Sequence, residues 1–256
     1  MDVRAKKHLG QHFLTDQNIA RNIVDSLSFE GYKKVLEVGP GMGVLTKFLL
    51  QKEADIYVAE IDQESIVYLK KHYPKLEEQH FVGDFLKINI PEFFGEELAV
   101  IGNFPYNISS QILFKIIDNF YFVPEMSGMF QKEVAERTAA KPRTKDYGIL
   151  SVLVQAYYDV DYLFTVHENV FNPPPKVKSG VIRMTRNLKP GLDGNEVLFK
   201  QIVKAGFGQR RKKMSNALKV LGIPENMKSH PFLDIRAEEL SVADFIAFTN
   251  EWKSGL

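Results

Sequence analysis

Val35-Leu36-Glu37-Val38-Gly39-Pro40-Gly41-Met42-Gly43-Val44-Leu45-Thr46 runs from an apolar stretch into three closely spaced glycines and then into a helix-compatible segment. A strand whose residues are nearly all apolar is buried on both faces, as in a parallel sheet covered by helices. Glycines just past such a strand let the chain turn tightly and let a ligand approach the backbone where the next helix begins. The dinucleotide fingerprint has its third glycine five positions after the first, where this chain has Val44, and Gly43 comes one place early. The turn is a poor match to a pyrophosphate cradle.

Similar apolar runs follow at 55–61, 79–84 and 98–103, and extended-looking stretches at 125–132, 161–166 and 179–186. Helix-like segments lie between the earlier runs, at 45–51 and 63–72, and another is capped by Asp16 and runs through Leu27. Strands alternating with helices predict an α/β fold with a Rossmann-like sheet of seven strands over residues 1–188. The stretch NLKPGLDGN at 187–195 breaks the pattern and reads as a linker. Beyond it, helices are expected near 196–206, 214–221 and 241–253, giving a small all-α C-terminal domain over 196–256. Ser241 and Asp244 have the spacing of a capping box, and Phe245, Ile246, Phe248 and Trp252 would face that domain's core.

With 256 residues, 45% of them hydrophobic, the chain is globular in composition and can bury about three quarters of its unfolded surface. No apolar run approaches the ~20 residues that cross a bilayer, and the opening MDVRAKKHLGQHF lacks the apolar core of a secretion signal. The absence of cysteine excludes disulfides, thiolate metal sites and a cysteine nucleophile, and it fits a cytoplasmic protein. The formal charge is only +1, yet it is unevenly spread. Residues 35–100 hold 6 lysines against 12 acids, whereas 169–192 carry five bases and 197–224 seven, with no acid in either. A basic opening (Arg4, Lys6, Lys7) adds to these stretches. Clustered cations in a nearly neutral chain point to a polyanion such as nucleic acid.

Two acids extend the glycine turn into a pocket. Glu60 ends the second strand, 21 positions after Gly39, where a carboxylate accepts from ribose hydroxyls. Asp84 ends the third, placed to accept from an adenine amine. Together they describe a site for a nucleoside without a diphosphate, and S-adenosylmethionine is the candidate. After the fourth strand comes Asn103-Phe104-Pro105-Tyr106. An exocyclic base amine is a poor nucleophile because its lone pair is delocalised into the ring. Acceptors at the Asn103 side-chain oxygen and the Pro105 carbonyl would favour a pyramidal nitrogen aimed at a methyl donor. Tyr106 would supply a stacking face.

VLEVGPGMGVLT, the two strand-end acids and GNFPYNIS resemble the ribosomal RNA adenine N6-dimethyltransferase family, and most closely its bacterial small-subunit (16S) branch. The leader KKHLGQHFL at 6–14, VFNPPPKVKS at 170–179 and FGQRRK at 207–212 are similar to further family motifs, in the family's order. The resemblance implies an S-adenosylmethionine-dependent methyltransferase that dimethylates two adjacent adenosines near the 3′ end of small-subunit rRNA during ribosome biogenesis. It implies cofactor contacts from His12, Leu14, Gly39, Gly41, Glu60, Ile61, Asp84, Phe85 and Asn103. Asn103, Pro105 and Tyr106 would act on the target base, with Phe171 on its other face. Lys6, Lys7, Lys176, Arg210, Arg211, Lys212 and Lys213 would contact RNA. The expected partner is rRNA in a pre-30S particle, met by a monomer with no metal and no membrane. His8, His72, His80, His167 and His230 show no paired ligand spacing, in keeping with that.

Two positions depart from the family. His12 replaces the leader's usual Asn, and its neutral imidazole can still accept or donate one hydrogen bond. Phe104 stands where Leu is commoner, either tightening the pocket around the base or packing beneath it. Three rival readings remain: the large-subunit adenine methyltransferase that confers macrolide resistance, a non-catalytic assembly factor, and a nicotinamide-dependent dehydrogenase.

Overall fold

The computed structural model describes residues 3–6, 9–187, 191–192 and 194–254. Its strands are β1 (Phe13–Leu14), β2 (Lys34–Val38), β3 (Asp55–Ala59), β4 (Leu98–Asn103), β5 (Glu125–Gln131), β6 (Tyr158–Val166), β7 (Phe171–Asn172) and β8 (Ser179–Arg186). Six of them form one sheet in the order β3-β2-β4-β5-β8-β6. The run from β3 to β5 is parallel, and β8 lies antiparallel to β5. The α/β class and the Rossmann-like sheet are as expected, but the sheet has six strands where seven were anticipated. The missing one is the run at 79–84. A short 3-10 turn, Glu78–His80, occupies its start, and only Phe81 bridges to β3, at Val58. Gly83 then turns the chain away at φ +72°.

β1 and β7 make a separate antiparallel ribbon with Phe13 opposite Asn172 and Leu14 opposite Phe171. Helix Gln17–Val24 follows β1, capped by Asp16, whose carboxylate accepts from the Asn18 and Ile19 N–H groups. Its Ala20, Ile23 and Val24 share one core with Val35, Ile56, Val58, Ala99 and Ile101 of the sheet. Leu36 and Val38 alternate with Val35 and are also buried, so β2 is covered on both faces.

The chain divides into two compact units, Met1–Ala135 with Asp159–Arg186, and Glu136–Tyr158 with Asn187–Leu256. The second takes in a segment, Glu136–Tyr158, that a boundary at 188/196 leaves with the sheet. Tyr147 is the physical reason. It is fully buried, donates its hydroxyl to the Leu240 carbonyl at 3.0 Å and meets the Phe207 ring edge-on. Helix Ile149–Gln155 also packs on helix Glu196–Gly208 within this unit. Helix Val242–Ser254 opens with the anticipated capping box, Ser241 N–H to the Asp244 carboxylate and Asp244 N–H back to the Ser241 hydroxyl. Phe245, Phe248 and Trp252 are buried as expected. Four of the nine residues of the linker at 187–195 lie outside the described residues. Among the described residues no helix is long and apolar enough to cross a membrane.

Candidate functional site

β2 lies between β3 and β4, so the strand order reverses there, and ligands of open α/β sheets sit at the carboxyl ends of strands at such a point. A cavity of about 280 Å³ opens at this place. Its walls come from the leader (9–14), the glycine turn (39–42), the ends of β3 (59–61) and β4 (103–108), and the loop 83–86. His12, Leu14, Gly39, Gly41, Glu60, Ile61, Asp84, Phe85, Asn103, Pro105 and Tyr106 all line it. Residues scattered over some ninety positions therefore converge on one space.

The glycine turn has a steric logic. Gly41 sits at φ +53°, and a β-carbon there would stand 2.8 Å from the Phe13 ring that closes over it. Gly43, at φ +79°, leaves room for Tyr73, whose hydroxyl donates to the Gly43 carbonyl at 3.0 Å. Its early position is thus explained by packing.

Glu60 is already held by the backbone. Oε1 accepts from the Ile61 and Asp62 N–H groups, both at 2.9 Å, and Oε2 from Gly41 at 3.2 Å. A carboxylate has about four acceptor sites, so one remains, on Oε2. That site is open to a ribose hydroxyl. Burial pushes the Glu60 carboxyl above its ordinary pKa, against those three N–H groups. Asp84 turns Oδ1 to the Leu86 N–H at 3.0 Å, while Oδ2 stands 3.5 Å from the Lys87 ammonium.

Asn103 has one orientation that its neighbours support. Its Nδ2 donates to the His12 carbonyl at 2.9 Å, which leaves Oδ1 as the acceptor beside Pro105. The Pro105 carbonyl takes only a 3.3 Å bond from the Ile108 N–H. Tyr106 is anchored at its hydroxyl by Ser179, a fully buried residue at the start of β8, and burial raises its pKa. The His12 ring stands 5.6 Å from the Tyr106 ring, tilted by 30°, with Nδ1 bonded to the Pro173 carbonyl at 2.8 Å. That bond makes Nδ1 the protonated nitrogen and leaves Nε2 as an acceptor in the neutral ring.

Phe104 packs beneath the site. It is 1% exposed, stacks on Phe130 at 4.6 Å and fills the space left by Gly102 and Gly128. Phe171, expected as the second face for a base, does not line this cavity. In β7 the side chains alternate, and Phe171 points inward to the core with Leu14, Val166 and Val181 while Asn172 is exposed.

The expected phosphate contacts separate into two groups. Lys6 is committed elsewhere: its ammonium bonds the buried Asp62 carboxylate and pairs with Glu64 at 3.3 Å. Although burial opposes it, Lys6, Ser65 and Gln11 together hold Asp62 below its ordinary pKa. This latch fixes the leader beside Glu60, and charge counting alone missed it. Arg210 pairs with Glu238 at 2.7 Å and Lys213 with Asp234 at 3.3 Å. Lys176, Arg211 and Lys212 are exposed, with no carboxylate partner among the described residues. Lys7 lies outside the described residues. Among the described residues no cluster of His, Asp and Glu is arranged to hold a metal ion.

Comparison with known proteins adds to this geometry. A family model described as "Ribosomal RNA adenine dimethylase" matches residues 3–253. The chain is 56% identical over 250 residues to a Cytophaga hutchinsonii protein called "Ribosomal RNA small subunit methyltransferase A", covering 97% of each. Among solved structures it is similar to a dimethyladenosine transferase from Plasmodium falciparum, with a TM-score of 0.78 and 25% identity over 95% of this chain and 98% of that one. It shares its fold with the 23S rRNA methyltransferase ErmE, at a TM-score of 0.67 and 24% identity over 92% and 98%.

Proposed function

The chain belongs to the ribosomal RNA adenine dimethylase family, and we propose that its substrate is small-subunit (16S) rRNA. There it dimethylates the N6 amines of two adjacent adenosines near the 3′ end, within a pre-30S particle. Its cofactor is S-adenosylmethionine, which supplies an electrophilic methyl group. The observation that carries this reading is the fixed amide of Asn103, with Nδ2 held by His12 and Oδ1 left to accept.

The cavity suits that cofactor: one acceptor site on Glu60 for a ribose hydroxyl, the Asp84 carboxylate for an adenine amine, and Ile61 and Phe85 as apolar walls. Asn103 Oδ1 and the Pro105 carbonyl would each take one hydrogen of the target amine. Holding both hydrogens on one side favours a tetrahedral nitrogen and frees its lone pair for attack. Tyr106, gripped by Ser179, stacks on the unstacked base. Once methylated, the cationic nitrogen is far more acidic than the amine, so its proton leaves without a strong base. A sulfonium methyl is already electrophilic, so the reading needs no metal. It also has the protein acting as a monomer in the cytoplasm, where ribosomal particles assemble.

Mass mapping of methylated adenosines in rRNA from cells with and without the protein tests the reading. Two adjacent dimethyladenosines should vanish from the small-subunit RNA; loss from the large-subunit RNA instead would assign the chain to the macrolide-resistance activity. Glu60→Ala should weaken S-adenosylmethionine binding about 10- to 100-fold, the scale of one hydrogen bond to a charged group. Calorimetry returning wild-type affinity would remove Glu60 from the site.

A further inference from the structure

We propose that the loop 141–146 and the turn 209–213 of the second unit form one surface that binds RNA phosphates, with Lys141, Arg143 and Lys145 as contacts alongside Arg211 and Lys212. The inference rests on the RNA-substrate reading and extends it to a loop lying far from the basic tail in sequence. Two bonds bring the segments together: Arg210 donates to the Thr144 carbonyl at 3.3 Å, and the Arg143 N–H donates to the Glu238 carbonyl at 2.8 Å. The Arg210–Glu238 ion pair, at 2.7 Å, closes the arrangement.

The loop is rigid by construction. Thr144 donates its hydroxyl to the Lys141 carbonyl at 2.7 Å, and Tyr147 plugs the loop's end into the unit's core. Arg143 is held at φ +67°, a left-handed conformation that long side chains rarely adopt. Such strain persists where surrounding structure enforces it, often where a side chain has a task. Lys141, Arg143, Lys145, Arg211 and Lys212 are all exposed, and none has a carboxylate partner among the described residues. Of the nearby acids, Glu238 and Asp234 are engaged with Arg210 and Lys213, leaving Asp146 as the exposed carboxylate of the loop. A tied-down loop and turn carrying five exposed cations with few compensating acids fits a backbone of repeating phosphates, whose counterions it would release.

The test is the salt dependence of binding to unmethylated small ribosomal subunits, for wild type and for the triple variant Lys141→Ala, Arg143→Asn, Lys145→Ala. Asn tolerates the left-handed conformation, so the loop should survive. Each lost phosphate contact lowers the slope of log affinity against log salt by roughly 0.7–0.9, so the triple variant should lose about 2–3 and bind on the order of 50-fold more weakly at about 150 mM salt. Its S-adenosylmethionine affinity and its thermal unfolding should both match wild type, the second readout reporting on the unit that carries the loop. A control removing three cations of the first unit, Lys33, Lys71 and Lys75, should change the slope little. A steep wild-type response with an unchanged triple variant overturns the inference and leaves the function standing, as does a control that falls equally. A wild-type protein indifferent to salt overturns both.

Discussion

Asn103→Ala is expected to cut methyl transfer by ~10²–10³-fold, the usual loss when one preorganised hydrogen-bonding group is removed from a reacting centre. Binding of S-adenosylmethionine should fall far less than turnover, because Glu60, Asp84 and the glycine turn stay in place. The amide's orientation makes a second variant informative. Asn103→Asp would put a carboxylate oxygen against the His12 carbonyl that Nδ2 now faces at 2.9 Å, and two acceptors repel. Asp should therefore fail about as badly as Ala, although it retains an acceptor facing the amine. Single-turnover assays on unmethylated small subunits, paired with cofactor titrations, check both variants. Near-normal turnover by either would show that the amine is oriented by some other group.

The glycine turn, the strand-end acids and the Asn103–Tyr106 tetrapeptide were legible because each lies within a short stretch whose local pattern fixes its structure. Three apolar residues flanking Glu37 in β2, Val35, Leu36 and Val38, read as a buried strand before any partner is known. What escaped depends on contacts between distant residues. Lys6 counts as a free cation until the fold brings Asp62 and Glu64 to it. Phe171 looks like a base-stacking aromatic until pairing with Leu14 sets which way β7 alternates. The seventh strand failed for a related reason: apolar character at 79–84 is necessary for pairing, but Gly83 turns the chain after one bridge. Tyr147 carries no local sign that it is buried in the second unit, and nothing in the sequence ties the loop beside it to the basic tail.

Glu37, in the middle of the apolar run of β2, should govern how stability depends on pH. It is 1% exposed, and burial pushes its carboxyl from the ordinary 4.5 up to about 8; the Thr46 hydroxyl, donating at 2.5 Å, pulls the other way, and the nearby Glu60 charge adds to the rise. The folded protein thus keeps a proton that the unfolded chain releases above about 4.5. Where the folded state binds more protons, stability falls as pH rises. Glu37's contribution is therefore complete below about 4.5 and lost by about 8, at up to ~1.4 kcal/mol per pH unit between them. Glu37→Gln keeps the shape and an acceptor for Thr46 while removing the titration. Urea unfolding across that window should show wild type losing several kcal/mol more than the variant, with Glu37→Gln the more stable protein at the alkaline end. Parallel curves for the two proteins would mean that Glu37 is ionised in the fold, with water or another group solvating a charge that the buried end of β2 otherwise excludes.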